Sequence, residues 1–197
     1  MTRENLCAGD GPWAVDHLLN TGQRVSVRPL RSDDVSRLGD YLLSLSEETR
    51  RRWSPHGFDR DAAVAVCNGL GSDDVVRLVA TTSADGDDQI IAYLLVKLGV
   101  RERESVRYAA YGIALDNDFD CTFAPSVADA YQNSGLGSRM LQHVKSVLRC
   151  IGRERVVLWG GVQETNLRGI HFYTKAGFVK VGEFYTDKNN WDMLVEL

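Results

Sequence analysis

Between Cys121 and Gly152 the hydrophobic pattern changes its period once. An apolar run from Cys121 to Val127 gives way to a polar loop, Gln132-Asn133-Ser134-Gly135-Leu136-Gly137-Ser138. Apolar residues then return at steps of three and four: Leu136, Met140, Val144, Val147, Leu148 and Ile151. That spacing predicts a helix with one buried stripe. Gly152 supplies a stop, and Lys145 and Arg149 suit the negative end of the helix dipole. The order is strand, glycine loop, helix.

The remaining pattern alternates strands and short helices. Val25 and Val27 fall on one side of a strand over 24–30, and Ser32-Asp33-Asp34 opens a helix with the stripe Val35, Leu38, Leu42 and Leu45. Ser46-Glu47-Glu48 is a second start, and Pro55 keeps that helix from running past Ser54. Residues 59–70 read as a further helix. Residues 75–82 and 89–98 read as a hairpin around Ala84-Asp85-Gly86-Asp87-Asp88. Residues 99–120 are charged and longer than a hairpin needs, with 107–113 as an element inside an insertion. The run Val156-Val157-Leu158-Trp159 fits a strand over 155–160 that is buried on both faces, and Gly160-Gly161 ends it and lets a ligand come close. Asn166 caps a helix that Gly177 closes, and two strands around Asp187-Lys188-Asn189-Asn190 finish the chain. Residues 1–22 form an extension, with Trp13, Val15, Leu18 and Leu19 available for a short helix or for docking; residues 23–197 form a single domain.

Composition narrows the class. The chain has 197 residues, 44% hydrophobic and 25% charged, with a net charge of −4. That is the profile of a globular domain with its own core, without the basic surface that nucleic acid demands. No membrane association is expected, because no apolar run approaches the ~18 residues of a spanning helix. Cys7, Cys67, Cys121 and Cys150 are too scattered for a metal clip, so no metal is expected, and free thiols suit a reducing, cytoplasmic setting.

The loop carries the chemistry. The first turn of a helix has N–H groups without partners and a dipole that favours negative charge, and glycines let a bulky anion approach. An ordinary glycine turn would read the same way. The dinucleotide fingerprint fails because Met140 stands where a third glycine belongs, and no Gly-Lys pair exists for a nucleoside-triphosphate loop. The pattern present, Gln132-x-x-Gly135-x-Gly137, resembles the pyrophosphate loop of the GNAT superfamily of N-acetyltransferases. Asn133 stands where glycine is frequent, and asparagine tolerates a left-handed backbone. The segment Asn166-Leu167-Arg168-Gly169-Ile170-His171-Phe172-Tyr173-Thr174-Lys175-Ala176-Gly177-Phe178 resembles the second signature of the same family, with Gly169 in place of the usual alanine.

The resemblance implies an α+β fold, an α/β/α sandwich around a mixed, mostly antiparallel sheet with one splayed parallel pair. Pro125, which cannot donate to a ladder, suits a bulge in the strand that splays. The implied activity is transfer of the acetyl group of acetyl-coenzyme A to a primary amine by direct attack. The implied coenzyme contacts are Val127, Ala128 and Asp129 along the pantetheine, Gln132, Asn133, Ser134, Gly135, Leu136, Gly137 and Ser138 at the pyrophosphate, and Asn166. Tyr173 is implied as the general acid for the leaving thiolate. The acceptor amine is open, a homodimer is one option for assembly, and a catalytically inactive domain that binds acyl-coenzyme A as a sensor or assembly module is the alternative.

Two points stay unassigned. Cys121 occupies the position where the family often has a glutamate base; Asp120, Asp129, Glu164 and a water chain are the substitutes considered. Trp53, His56 and Phe58, in the loop after the second helix, are candidates either for acceptor contact or for packing.

Overall fold

The computed structural model describes residues 11–53, 55–71, 74–84 and 87–197. The first ten residues of the extension, the tip of the 84–88 turn at 85–86, and Ser54 lie outside the described residues. The chain divides into two compact units: residues 1–95 with 125–144, and residues 96–124 with 145–197.

In the first unit, β1 (Val15–Leu18), β2 (Arg24–Pro29), β3 (Val75–Ala84) and β4 (Asp87–Lys97) follow one another across the sheet. The β1–β2 and β2–β3 pairs are antiparallel. The described half of the extension is therefore a strand rather than a helix, because alternation in Val15-Asp16-His17-Leu18 leaves one side half-covered. Trp13 and Leu19 anchor it, at 0% and 3% exposure. A short helical turn at Ser32–Asp34 leads into α1 (Val35–Ser44), followed by α2 (Glu47–Arg52) and α3 (Arg60–Asn68). The expected start at Ser46 is in place: Ser46 accepts the Thr49 N–H, and Trp53 closes α2 two residues before Pro55. Asp59 caps α3 by accepting the Ala62 N–H. Asp34 is fully buried and takes both nitrogens of Arg28 at 2.7 and 2.9 Å.

In the second unit, α4 (Glu102–Ala110) precedes β5 (Asp120–Val127), which runs parallel to β6 (Arg155–Leu158). β9 (Asn189–Glu196) pairs antiparallel with β6, with β7 (Val162–Gln163) and with β8 (Val179–Tyr185). α5 (Leu136–Cys150), whose residues up to Val144 belong to the first unit, and α6 (Leu167–Lys175) complete six α-helices among the described residues. The mixed sheet, with β5 and β6 parallel, has the α+β character expected of the chain.

Three expectations are corrected in this unit. The insertion at 99–120 forms a helix over Glu102–Ala110, earlier than the 107–113 element, because Tyr108 and Val100 join Val157 and Leu194 in a core cluster. The strand at 155 stops at Leu158, two residues short. Gly160 and Gly161 turn the chain with φ of 73° and 72°, and a Cβ at Gly161 would stand 2.7 Å from the Trp191 carbonyl. The close approach at Gly161 is made by the protein's own backbone, not by a ligand.

Candidate functional site

The loop at the head of α5 is shaped by two left-handed residues, Asn133 at φ 62° and Gly135 at φ 84°. Asparagine and glycine occupy the two positions where bulkier residues would be strained. Ser134 Oγ donates to the Tyr131 carbonyl at 2.6 Å and takes the Leu136 N–H at 3.4 Å. The first N–H groups of α5 have no intrahelical partner, and the helix dipole makes this end favourable for an anion.

Two candidate coenzyme residues in this unit have side chains already bound to other parts of the protein. Gln132 Nε2 donates to the Val127 carbonyl at 3.1 Å and to Thr49 Oγ1 and Asp129 Oδ1 at 3.3 Å each. The Asp129 carboxylate also takes the Ser46 N–H, Ser46 Oγ and Thr49 Oγ1, at 2.9, 2.9 and 2.8 Å. Burial pushes its carboxyl upward, but the hydrogen bonds from Ser46 and Thr49 outweigh burial and hold it below the usual value. An aspartate stabilised as an anion by so many donors is a poor proton acceptor. Asp129 and Gln132 instead tie the loop to the head of α2.

The backbone of β5 is placed by β4. The Ala128 N–H donates to the Ile91 carbonyl at 2.9 Å, and the Ala128 carbonyl takes the Tyr131 N–H at 2.8 Å. Ala128 has thus committed both backbone groups. By strand alternation the Val127 N–H points to the side opposite the Ala128 N–H. Ser126, the preceding residue, accepts the buried Tyr41 hydroxyl at 2.8 Å.

In the second unit, Asn166 Oδ1 accepts the Gly169 N–H at 3.0 Å and caps α6. Gly169 follows from that cap: a Cβ there would stand 2.6 Å from the asparagine's Nδ2. The far end of α6 is a left-handed stop, with the Gly177 N–H on the Thr174 carbonyl and the Phe178 N–H on the Tyr173 carbonyl, at 3.0 Å each. Gly177 has φ 92°. Tyr173 is therefore fixed through its own carbonyl, and its ring packs on Phe172 and Phe178 at 5.0 and 5.4 Å. Burial raises the phenol above its ordinary value, so it is protonated at neutral pH. Among the described residues its hydroxyl makes no hydrogen bond, which leaves the proton available to a ligand.

The other base candidates are engaged. Asp120, fully buried, takes Arg155 Nε and Nη2 at 2.7 and 2.6 Å and the Asp116 N–H at 2.6 Å. Glu164 is held by Asn189 Nδ2 at 3.2 Å. Cys121 is buried. Among the described residues no group of three His, Cys, Asp or Glu side chains is arranged to hold a metal, and no helix is long and apolar enough to cross a membrane.

The strand, glycine loop and helix, together with the parallel pair β5–β6, belong to the acyl-coenzyme A N-acyltransferase fold class. The chain belongs to the GNAT acetyltransferase family: the model of the Acetyltransferase (GNAT) family matches residues 42–178. Solved structures agree in fold. The GNAT domain of PAT from S. lividans is 23% identical, with a TM-score of 0.72 over 95% of this chain and 98% of that one. The ribosomal-protein-S5-alanine acetyltransferase from Vibrio fischeri is 14% identical, with a TM-score of 0.66 over 92% and 96%. The aminoglycoside acetyltransferase AAC(6')-Ib, solved with coenzyme A and kanamycin, is 19% identical, with a TM-score of 0.62 over 87% and 94%.

Proposed function

We propose that the protein is an N-acetyltransferase that moves the acetyl group of acetyl-coenzyme A to a primary amine. The observation that carries this reading is the loop at the head of α5. Its side chains at Asp129 and Gln132 are taken up by hydrogen bonds within the protein, and its backbone bends through Asn133 and Gly135. What remains for a ligand is main-chain N–H, which suits a pyrophosphate. The backbone of Gln132, Asn133, Ser134, Gly135, Leu136, Gly137 and Ser138 would hold the phosphates. Val127 and Asp129 would guide the pantetheine with their main chains, with Asn166 as a further contact. The amine attacks the thioester carbonyl, the C–N bond forms and the C–S bond breaks. The Val127 N–H is the donor for the developing oxyanion, and Tyr173 gives its proton to the thiolate. Two solved relatives in fold are described as acetyltransferases with a ribosomal-protein alanine and with kanamycin in their names; both substrates carry amines.

The direct test is ligand stabilisation. Acetyl-coenzyme A at about 100 times its dissociation constant should stabilise the fold by about 2.7 kcal/mol in a thermal melt, with NAD and ATP doing much less. Equal shifts with all three would remove the coenzyme from the reading. An amine panel with free-thiol detection then separates an enzyme from a domain that only binds the coenzyme.

A second test uses the loop. At Gly135 a side chain is strained by φ 84° whatever the ligand, so the informative position is Gly137, inside the first turn of α5. There a β-branched residue costs the helix little, because glycine is itself a poor helix former. Gly137→Val should leave the melting temperature near wild type and weaken acetyl-coenzyme A at least about tenfold, by filling the phosphate's approach. Unchanged affinity would place the phosphates elsewhere.

A further inference from the structure

The first unit holds a cluster of rings that no step above employs. Trp53 lies 5.3 Å from His56, 6.0 Å from Phe58 and 5.6 Å from Tyr93, and His56 lies 5.6 Å from Tyr93. Trp53 is 8% exposed and Tyr93 not at all. Within this wall the Trp53 indole nitrogen Nε1 and the His56 ring nitrogen Nε2 are sealed from water without a hydrogen-bond partner. A buried polar group left unsatisfied is costly. Here an indole donor and an imidazole nitrogen stand in adjacent rings, and a ligand with a polar oxygen and an amine would satisfy both.

The state of the imidazole follows from its neighbour. His56 Nδ1 lies 2.7 Å from the Gly57 carbonyl. A carbonyl only accepts, so Nδ1 carries the proton and Nε2 holds the lone pair. Burial lowers the His56 pKa from its ordinary 6.5; the Gly57 bond opposes this, Arg77 on β3 adds to it, and Asp59 at the head of α3 opposes it. Arg50, on α2, reaches the Phe58 ring at 5.7 Å. The ring is therefore neutral at pH 7, a base with its lone pair free.

The wall is also tied to the strand of the proposed oxyanion donor. Tyr93 is two residues beyond Ile91, whose carbonyl takes the Ala128 N–H. Tyr41 takes a hydrogen bond from the Tyr93 backbone and gives its own proton to Ser126 Oγ, next to Val127.

We propose that His56 is the general base for the acceptor, and that the acceptor is a primary amine on an aromatic body with a hydroxyl that Trp53 Nε1 can hold. The assignment rests on the acetyl-transfer reading above. His56 Nε2 takes one proton from the substrate ammonium and gives it up to solvent once the product has left. The freed lone pair forms the C–N bond as the C–S bond breaks, and the second nitrogen proton replaces the one that Tyr173 gives to the thiolate. One proton is released per turnover.

The test compares two acceptors on the full chain, wild type and His56→Gln. Tyramine is protonated at pH 7 and needs a base; hydroxylamine is already neutral and does not. The substitution should lower kcat/KM for tyramine at least about tenfold, remove the acid limb that appears below pH ~6.5, and leave hydroxylamine turnover within about twofold. A merely structural loss would depress both acceptors together. Nitrogen NMR of the imidazole supplies an acceptor-independent check, with the proton expected on Nδ1. A proton on Nε2, an unchanged tyramine profile, or a wild-type enzyme that accepts hydroxylamine but not tyramine overturns the proposal. Acetyl-coenzyme A binding, followed by thermal shift in the same samples, separates the two levels. If binding is present, such a result sinks only the His56 assignment; if binding is absent in wild type, the acetyl-transfer reading falls as well.

Discussion

Replacing Asp192 by alanine should destabilise the protein by about 3–5 kcal/mol. Asp192 is fully buried on β9 and takes Arg107 Nε and Nη2 at 2.7 and 2.9 Å, with the Tyr111 hydroxyl donating at 3.2 Å. Its removal strands a guanidinium that also lies over the Phe184 ring at 3.9 Å. The guanidinium is only partly exposed, so it loses its carboxylate partner without regaining full hydration. Glu104, fully buried and 3.5 Å from Arg107 Nη2, gives partial relief and sets the expectation toward the lower end. Asp192→Asn keeps the shape and an acceptor oxygen, and should cost less. Urea titration of both variants measures this. A loss under about 1 kcal/mol for the alanine variant would mean that the pair gains no more from its geometry than a surface ion pair does.

Tyr173→Phe should lower kcat by at least about tenfold, and up to about a hundredfold, while coenzyme affinity stays near wild type. The substitution removes one hydroxyl and keeps the ring that packs on Phe172 and Phe178, so α6 and its Gly177 stop should stand. A proton given only as the C–S bond breaks contributes to the transition state and not to the ground state, so the loss belongs in kcat. General acids typically contribute about 10²- to 10⁴-fold. A thiol is fairly acidic already, with a cysteine-like pKa near ~8.5, which places the expectation at the low end of that range. Steady-state kinetics with any working acceptor decides the point. An unchanged kcat would make Tyr173 a packing residue and leave the thiolate to depart unaided.

The parts of the site that are local were legible early. The glycine loop, the Ser46 and Asn166 caps, and the Gly177 stop each depend on residues within a turn of one another, and the chain places them where the pattern puts them. The strand-to-helix change of period at 121–136 works for the same reason: side-chain direction repeats every two or every 3.6 residues wherever the segment lies. The helix at Glu102–Ala110 was displaced in the reading because its apolar residues are few, and its position depends on Tyr108 reaching the Met193 carbonyl at 2.8 Å.

What the sequence by itself determined is the succession of elements, the positive-φ positions and the two motif segments, since these rest on backbone chirality, periodicity and capping. The tertiary structure decided which polar side chains remain free to do chemistry. Gln132 and Asp129 look like ligand residues in the chain, yet Thr49, 80 residues away from Asp129, helps to consume both. Asp120 looks like a base until Arg155 closes on it, and Arg107 finds Asp192 across 85 residues. Conversely, His56 is an ordinary loop histidine in the sequence. Only folding seals its Nε2 among Trp53 and Tyr93 while the Gly57 carbonyl fixes the proton on the other nitrogen. A side chain's reactivity depends on desolvation and on the partners it has already taken, and both are set by residues that meet only when the chain is folded.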